Sequence, residues 1–230
     1  MKKYNEFINE NIRDVLKGKS DEDIKKSLKD SGMSDNKIIE YIITKKLSYS
    51  LLPRNKEGRC IYYGKLDLNS FMITKLPNYL TVKGDLDCHN NQLKKLPKGL
   101  IVEGTLICYK NLLIELPNDL IVELSLNCSY NKLKNLPEHI KIYNYNLKCS
   151  YNKLKNLPDN LIVNGNLDCS NNELDELPNN LKVLLSLHCE NNPLHYLPDG
   201  LNVGNDLFVK KYPKFLDLPK DAKIGGKYYY

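Results

Sequence analysis

The fold is decided by the stretch Leu86-Asp87-Cys88-His89-Asn90-Asn91-Gln92-Leu93-Lys94-Lys95-Leu96-Pro97, because its pattern returns at a nearly fixed spacing. The repeated frame reads L-x-C-x-x-N-x-L-x-x-L-P-x-x-L-x-V-x-G-x. Its cysteine column consists of Cys88, Cys108, Cys128, Cys149, Cys169 and Cys189, at spacings of 20, 20, 21, 20 and 20 residues. Its asparagine column consists of Asn91, Asn111, Asn131, Asn152, Asn172 and Asn192. A fixed period of this length indicates stacked supersecondary units rather than one globular core.

The frame resembles the leucine-rich repeat, whose core pattern L-x-L-x-x-N/C-x-L is matched by Leu106, Cys108, Asn111 and Leu113. A Leu-Pro pair closes each unit, as in the short repeats of bacterial and viral type; the pairs begin at residues 76, 96, 116, 136, 157, 177, 197 and 218. The resemblance covers roughly residues 64 to 224. It implies an α+β repeat fold, namely a leucine-rich-repeat solenoid with a parallel β-sheet, an extended convex side and an N-terminal helical cap.

Each column of the frame has a physical role. Leucine and cysteine stand two residues apart, so in a strand both side chains point to the same, inward face, and stacking joins these rows into one core. The resemblance implies that each asparagine amide bonds to backbone groups of adjacent turns, which gives a buried polar group the partner it needs. Only ten residues separate Asn91 from Val102, and Pro97 interrupts them. The convex wall is therefore predicted to be extended or polyproline-like rather than helical.

The cysteine column is interpreted as packing rather than chemistry, because free cysteine is among the most buried residue types. Disulfides are not expected along the column, since parallel in-register side chains have poor bridge geometry and a reducing cytosol disfavours them. A straight row of sulfurs also does not suit zinc, which takes four tetrahedral ligands. Cys60 stands outside the column and is expected to be a lone thiol near the first strand. No metal, cofactor or catalytic residue is predicted.

The extent of the repeat predicts three segments. Residues 1–57 lack the repeat and form an N-terminal helical cap or a small helical module, residues 58–225 form a solenoid of about eight turns, and residues 226–230 form a tail. A cap would cover the open edge of the first strand, which otherwise invites pairing with another chain. A module would instead recognise protein or DNA by itself.

Three short helices are predicted within residues 1–57. Apolar residues at helical spacing predict the first; they are Phe7, Ile8, Ile12, Val15 and Leu16. Ser20 with Asp23 forms a capping box that opens the second helix, and Ser34 opens the third.

The exposed face of the predicted sheet is the candidate binding surface, since the residues that flank each inward cysteine vary between repeats. Tyrosine is favoured at interfaces because it adds rigid contact area with a polar tip. The sequence therefore predicts a non-enzymatic protein–protein interaction scaffold that binds an unidentified protein on this face. The predicted partner-binding residues are Ile107, Tyr109, Tyr130, Lys148 and Tyr151.

Other functions are weighed against the scaffold. The net charge of +6 and the lysine-rich turns allow binding of nucleic acid or another anionic surface, although solubility explains the charge adequately and nucleic acid is not the expected partner. These lysines are Lys94, Lys95, Lys132, Lys134, Lys153 and Lys155. The chain is alternatively the recognition part of a host-directed effector. An enzyme is not predicted, because the sequence shows no acid–base pair, phosphate-binding glycine loop or metal cluster.

The cellular location is predicted from two features of the sequence. No apolar run approaches the roughly 20 residues of a membrane span, and Met1-Lys2-Lys3 is not followed by the apolar stretch of a signal peptide. An intracellular, cytoplasmic protein is therefore expected, in a host cell or a virion if the source is viral. A monomer is expected.

Overall fold

The computed structural model describes residues 19–45, 47–138, 140–142, 145–209 and 217–230. The first predicted helix, with Phe7, Ile8, Ile12, Val15 and Leu16, lies outside the described residues. Two helices follow, α1 (Asp21–Asp30) and α2 (Asp35–Thr44), and then a 3-10 turn at Tyr49–Leu51. The oxygen Oγ of Ser20 caps α1 by accepting a hydrogen bond from the Asp23 N–H at 3.2 Å. Ser34 precedes α2 without a side-chain capping bond.

Short strands account for the rest of the regular structure. In chain order they are β1 (Cys60–Tyr63), β2 (Leu66–Asp67), β3 (Leu80–Lys83), β4 (Leu86–Asp87), β5 (Ile101–Val102), β6 (Leu106–Ile107), β7 (Ile121–Val122), β8 (Leu126–Asn127), β9 (Lys141–Ile142), β10 (Leu147–Lys148), β11 (Ile162–Val163), β12 (Leu167–Asp168), β13 (Lys182–Val183), β14 (Leu187–His188), β15 (Asn202–Val203), β16 (Leu207–Phe208), β17 (Lys223–Ile224) and β18 (Tyr228–Tyr229). Most of them contain only two residues, because the backbone turns immediately after each inward cysteine.

The even-numbered strands form one nine-stranded parallel sheet, termed here the main sheet. Equivalent positions of successive repeats pair with each other, so that Leu106 lies opposite Leu126 and Leu126 opposite Leu147. Such in-register stacking places one repeat about every 4.8 Å along the solenoid. The eight Leu-Pro turns of the sequence connect these nine strands.

The odd-numbered strands add parallel pairing that the sequence analysis did not specify. They form a five-stranded sheet from β1 to β9 and a four-stranded sheet from β11 to β17. The convex side is extended as predicted, and part of it pairs because extended segments stacked at one strand spacing bring N–H and C=O groups of neighbouring turns together. The pairing is interrupted between β9 and β11, in the repeat whose cysteine spacing is 21 rather than 20 residues.

The repeat architecture reaches the end of the chain as described. Strand β18 pairs in parallel with β16, and the Val209 N–H donates to the Tyr229 carbonyl at 2.7 Å. Residues 226–230 therefore contain a strand of the main sheet, whereas the sequence analysis assigned them to a tail. The sequence pattern did not reveal this strand because it departs from the repeat frame. Tyr228 occupies the inward position that leucine fills in the other repeats.

The described helices pack against the first turn of the solenoid. Ile39, Ile42 and Ile43 of α2 are fully buried in the same core as the repeats. Asn36 pairs with the backbone of β1, since its amide accepts from the Tyr63 N–H at 3.0 Å and donates to the Tyr63 carbonyl at 2.6 Å. The Tyr62 hydroxyl donates to the Glu40 carboxylate. These contacts satisfy part of the free edge of β1, which an uncovered strand would offer to another chain.

Neither α1 nor α2, the helices in the part of the chain that the structure describes, has the length and apolar character needed to cross a bilayer.

Candidate protein-binding face

The inward columns hold the main sheet rigidly in place. The amide nitrogen Nδ2 of Asn111 donates to the carbonyls of Cys88 and Cys108, at 3.0 and 3.1 Å, so it joins two successive repeats. Its oxygen Oδ1 accepts from the Leu93 N–H at 3.0 Å. The same three bonds recur at all six asparagines: Asn91, Asn111, Asn131, Asn152, Asn172 and Asn192. Each asparagine thereby satisfies backbone groups that the turn would leave unpaired.

The six cysteines lie beside this asparagine ladder as buried, free thiols: Cys88, Cys108, Cys128, Cys149, Cys169 and Cys189. Burial raises the pKa of the Cys128 thiol to about 12 and raises the pKa of the other five as well. Because the thiolate is the reactive form, these side chains are poor nucleophiles. Cys60 is also buried and free, and burial raises its pKa to about 11.

Three columns form the surface that we term the sheet face, and three of their residues, Asp87, Ser129 and Ser150, are buried. The strand column lies between leucine and cysteine: Asp67, Asp87, Ile107, Asn127, Lys148, Asp168, His188, Phe208 and Tyr229. The first turn column follows the inward cysteine or its equivalent Leu68: Asn69, His89, Tyr109, Ser129, Ser150, Ser170 and Glu190. The second turn column comes next: Ser70, Asn90, Lys110, Tyr130, Tyr151, Asn171 and Asn191.

The second turn column has a left-handed backbone at all seven positions that the structure describes, with φ between 52° and 60°. This conformation lets the N–H of Tyr130 and of Tyr151 bond to carbonyls of the following repeats, at 2.9 and 3.1 Å. Asparagine tolerates it well, and Asn90, Asn171 and Asn191 occupy it in the flanking repeats. Lysine and tyrosine have no such preference, and a left-handed residue other than glycine or asparagine costs about 1–2 kcal/mol. The middle of the column thus departs from local backbone preference.

Tyr130 and Tyr151 form a stacked pair on the sheet face. Their ring centroids are 4.3 Å apart with an interplanar angle of 8°, and the side chains are 46% and 47% exposed. The ammonium nitrogen Nζ of Lys110 lies 6.0 Å from the Tyr130 ring centroid. Partial desolvation raises the pKa of the Tyr130 phenol, and so do its hydrogen bond with Tyr151 and the nearby negative charge of Asp168.

The other predicted partner-binding residues lie in different columns. Tyr109 is half-buried in the first turn column and stacks on His89 at 4.5 Å, while Ile107 and Lys148 belong to the strand column. Tyr130 and Tyr151 stack on each other, whereas Tyr109 stacks on His89. The Lys110 ammonium lies 5.9 Å from the Tyr109 ring centroid and 6.0 Å from the Tyr130 ring centroid. Tyr109 directly follows its cysteine, whereas Tyr130 and Tyr151 stand two residues after theirs, so Tyr109 belongs to a different column from the stacked pair.

A second aromatic row was missed by the sequence analysis. His188, Phe208 and Tyr229 stack in the strand column, with centroid distances of 4.2 and 4.5 Å. The signal was present in the spacing, since the three residues occupy the same position of three successive repeats.

Hydroxyl groups and one carboxylate connect the strand and first turn columns. The hydroxyl of Ser150 lies 2.9 Å from the Asp168 oxygen Oδ2 and 3.1 Å from the Ser129 hydroxyl, and the Ser170 hydroxyl donates to Asp168 Oδ1 at 2.7 Å. Asp168 is therefore held in a fixed position beside the tyrosine pair. Among the ion pairs of the described residues, none includes this carboxylate.

The lysine-rich turns lie on the Leu-Pro wall, away from the sheet face, and their lysines are exposed: Lys94, Lys95, Lys132, Lys134, Lys153 and Lys155. Acidic residues share this wall. Lys95 pairs with Glu115 at 2.7 Å, and a shallow groove between turns is lined by Glu138, Asp159 and Glu176. The described residues contain no group of three or more His, Cys, Asp or Glu side chains placed to hold a metal ion. The wall thus presents mixed charge rather than a continuous basic surface.

Solved structures with similarity to the chain include two of the same effector. YopM from Yersinia enterocolitica WA-314 shares 25% sequence identity, covering 70% of this chain and 42% of that chain, with a TM-score of 0.38. YopM from Yersinia pestis, described as a leucine-rich effector protein, shares 18% identity, covering 90% of this chain and 72% of that chain, with a TM-score of 0.39. The chain spans less than half the length of the first of these proteins. Neither a protein-family model nor a curated protein matches it.

The molecule's own geometry defines its fold. Parallel strands recur at the period of the sequence, leucine and cysteine point inward from each strand, and asparagine side chains bond successive turns together. These features make the protein a leucine-rich-repeat solenoid.

Proposed function

We propose that this protein is a non-enzymatic scaffold that binds a protein partner on the sheet face, centred on Tyr130 and Tyr151. The observation that carries the proposal is that these two exposed tyrosines stack on each other on the sheet face, on a left-handed backbone with φ of 54° and 53°. Asparagine at the same position would serve the fold at lower conformational cost, as it does in the flanking repeats. Strain of this kind concentrates at functional sites, where the side chain serves something other than local stability.

The chemistry of the tyrosine pair suits a protein interface. Two stacked rings that are about half exposed provide rigid apolar area, and each carries a hydroxyl at its tip. Interface hot spots are enriched in tyrosine for these reasons, and a pre-stacked pair has little side-chain freedom left to lose on binding. The partly or fully exposed side chains of Asn127, Asn171 and Asn191 supply the polar rim that such interfaces have.

Site-specific photo-cross-linking tests the proposal. A photoreactive benzoylphenylalanine replaces Tyr151 in one preparation and Tyr79 in another, and both are irradiated in a cell extract. Tyr79 is the matched control, because it is also an exposed tyrosine with a left-handed backbone (φ 58°) but lies outside the sheet face. A discrete protein adduct from position 151 that is absent from position 79 is expected. Equal adducts from both positions, or nuclease-sensitive adducts, contradict the proposal.

A pair of asparagine variants provides the second test. The double variant Tyr130→Asn/Tyr151→Asn is expected to lose the cross-linked partner and to keep its far-UV circular dichroism spectrum. The matched control Tyr79→Asn is expected to keep both the cross-linked partner and the circular dichroism spectrum. Asparagine is already present at the equivalent positions of two other repeats, as Asn160 and Asn180. Retention of the partner by the double variant would remove the sheet face as the binding site.

A further inference from the structure

Between Asp67 and Asn191, the sheet face has a charge that differs in sign from that of the whole chain. From Asp67 to Asn191 its three columns bear four carboxylates and two ammonium groups, a net charge of −2 with histidine neutral. The chain as a whole has a net charge of +6. The surplus of lysine therefore lies outside these positions, and the part of the sheet face from Asp67 to Asn191 favours a partner with positive charge.

The two ends of the tyrosine stack differ in their surroundings. On the side of Tyr130, Lys110 already supplies a cation at 6.0 Å from the ring centroid. On the side of Tyr151, the next residue of the column is Asn171, whose amide bonds to Asn191 at 3.1 Å and to Ser170 at 3.2 Å. In the part of the chain that the structure describes, no ring stacks on this outer side of Tyr151.

Asp168 lies in the repeat that follows Tyr151. Its two oxygens accept hydrogen bonds from serine side chains, and it is half-buried without a basic partner within ion-pair distance among the described residues. Lys148 occupies the neighbouring strand position, yet its ammonium group does not pair with Asp168. Asp168 accepts from the hydroxyl of Ser150, the residue before Tyr151, and one face of the Tyr151 ring has no stacked neighbour among the described residues. A pre-positioned carboxylate without a cation, in the repeat on that side, can receive a cation from outside the chain.

We propose that Tyr151 and Asp168 together receive an arginine side chain from a basic segment of the protein partner. A guanidinium group is planar, so it can continue the stack over the Tyr151 ring while its N–H edge bonds to the Asp168 carboxylate. A lysine ammonium can pair with the carboxylate but cannot stack. The inference rests on the proposed function, because it names the chemistry of the partner at the same face.

The geometry also disfavours a nucleic acid at this position. Phosphate groups along a strand would meet Asp168 and Glu190 on one side of the tyrosine pair and Asp87 on the other. Such contacts oppose binding, since nucleic-acid affinity comes largely from phosphate neutralisation by basic groups. Binding of an oligonucleotide is therefore an outcome that the test must distinguish.

Selection of peptides on the intact chain tests the inference. A display library of random ten-residue peptides is enriched on the wild-type protein, and single clones are then measured against variants by fluorescence polarisation. Enriched peptides are expected to contain arginine and to lose affinity on the order of tenfold with Asp168→Asn or with Tyr151→Asn. Asp159→Asn, an exposed carboxylate change on the Leu-Pro wall, is the matched control and should leave affinity unchanged. Lys148→Glu should strengthen binding severalfold, a gain that a folding defect cannot produce.

Changes in the peptide separate charge from shape. Replacing the essential arginine by lysine keeps the charge, and replacing it by citrulline keeps the planar shape; both are expected to weaken binding on the order of tenfold. The inference is overturned if no peptide is enriched, if lysine serves as well as arginine, or if a single-stranded oligonucleotide binds the face and binds more tightly to Asp168→Asn. Peptides that depend on Tyr130 and Tyr151 but not on arginine or Asp168 would overturn this inference and leave the proposed function standing. Peptides indifferent to every sheet-face variant would count against both.

Discussion

Tyr151 and Asn152 are neighbours in the chain, yet they lie in different surroundings. Asn152 belongs to the inward asparagine column, and Tyr151 belongs to the second turn column of the sheet face. The amide of Asn152 donates to the carbonyls of Cys128 and Cys149, at 3.1 and 3.0 Å, and accepts from the Leu133 N–H at 3.0 Å. The side chain of Tyr151 stacks on Tyr130 and is about half exposed. The asparagine column is the same in six repeats, whereas the second turn column contains serine, asparagine, lysine and tyrosine.

The difference shows how a repeat protein separates stability from recognition. Backbone groups of two turns depend on each inward asparagine, so substitution there leaves several groups unpaired. No backbone group depends on the side chains of the second turn column, so this column can vary while the solenoid persists. We propose that the stacked, half-exposed tyrosines of this column serve binding rather than the fold.

Alkaline pH should destabilise the buried cysteine column in all repeats at once. It therefore has the largest expected effect on the stability of the protein. Burial raises the pKa of Cys128 from 9.0 to about 12 and raises the pKa of its neighbours in the column. Unfolded thiols ionise from about pH 9 while folded thiols stay protonated, so the stabilisation is complete below pH 9 and is lost as the pH rises toward 12. Urea unfolding followed by circular dichroism should show a steep fall in the midpoint between pH 9 and 11.

Removal of thiols provides the control for this pH dependence. The double variant Cys128→Ala/Cys149→Ala removes two thiols whose pKa is raised, so its urea midpoint should fall less steeply with pH. It should be less stable than wild type at neutral pH because of the cavities that it leaves. A wild-type midpoint that stays constant up to pH 11 would contradict the buried state of the column.

Loss of one inward asparagine should have the next largest effect. Asn172→Ala removes bonds to the Cys149 and Cys169 carbonyls and to the Leu154 N–H, each about 3.0 Å long. Leaving these buried groups unpaired should cost about 3–5 kcal/mol of unfolding free energy. The neighbouring Asn171→Ala should cost only about 1 kcal/mol, for a left-handed alanine. If Asn172→Ala and Asn171→Ala lose similar amounts of unfolding free energy in urea, the distinction between the inward asparagine column and the second turn column is refuted.

Serine substitution should distinguish cysteines within the inward column. Cys108→Ser places a hydroxyl where no acceptor contact to the sulfur is present in the described structure, and should cost about 1–3 kcal/mol. Cys128→Ser should cost less, because the Lys148 carbonyl lies 3.5 Å from the Cys128 sulfur and can accept from the new hydroxyl. The ratio of the two losses in the same unfolding assay is the measurement, and equal losses would show that this carbonyl has no effect.

The tyrosine pair should contribute the smallest effect on stability. Replacing Tyr130 and Tyr151 by asparagine, singly and together, forms a double-mutant cycle whose coupling energy should be about 0.5–1.5 kcal/mol, the usual value for stacked aromatic pairs. The double variant itself should unfold within about 1 kcal/mol of wild type, because relief of two left-handed tyrosines offsets the lost stacking. A loss as large as that of Asn172→Ala would mean that the pair holds the fold together.

The period of the sequence predicted the inward region well. The recurring Leu106-x-Cys108 pair and Asn111 specify a strand, a turn and a ladder, because identical repeats that stack must bury identical residues. The second parallel pairing could not be derived in this way, since segments such as Ile101–Val102 are too short to show alternation and lie close to a proline. Stacking alone brings their backbones together.

The candidate site was predicted only in part. Tyr130 and Tyr151 were found because exposed aromatic residues stood out among serine and asparagine, but Tyr109 was grouped with them although it packs on His89 in another column. The residue after Tyr109 has a positive φ, and lysine at that position does not signal it, although Asn90, Asn171 and Asn191 at the equivalent positions of other repeats favour this conformation. The position of Asp168 beside the pair depends on hydrogen bonds to serines of two repeats, which the sequence alone does not reveal.

The affinity of the Tyr130→Asn/Tyr151→Asn variant for the partner identified by cross-linking tests the central claim most directly. The account predicts a loss on the order of a hundredfold, as expected for two hot-spot residues, while Tyr79→Asn binds as tightly as wild type. Unchanged affinity of the double variant, or an equal loss in both variants, would contradict the assignment of the sheet face as the binding surface.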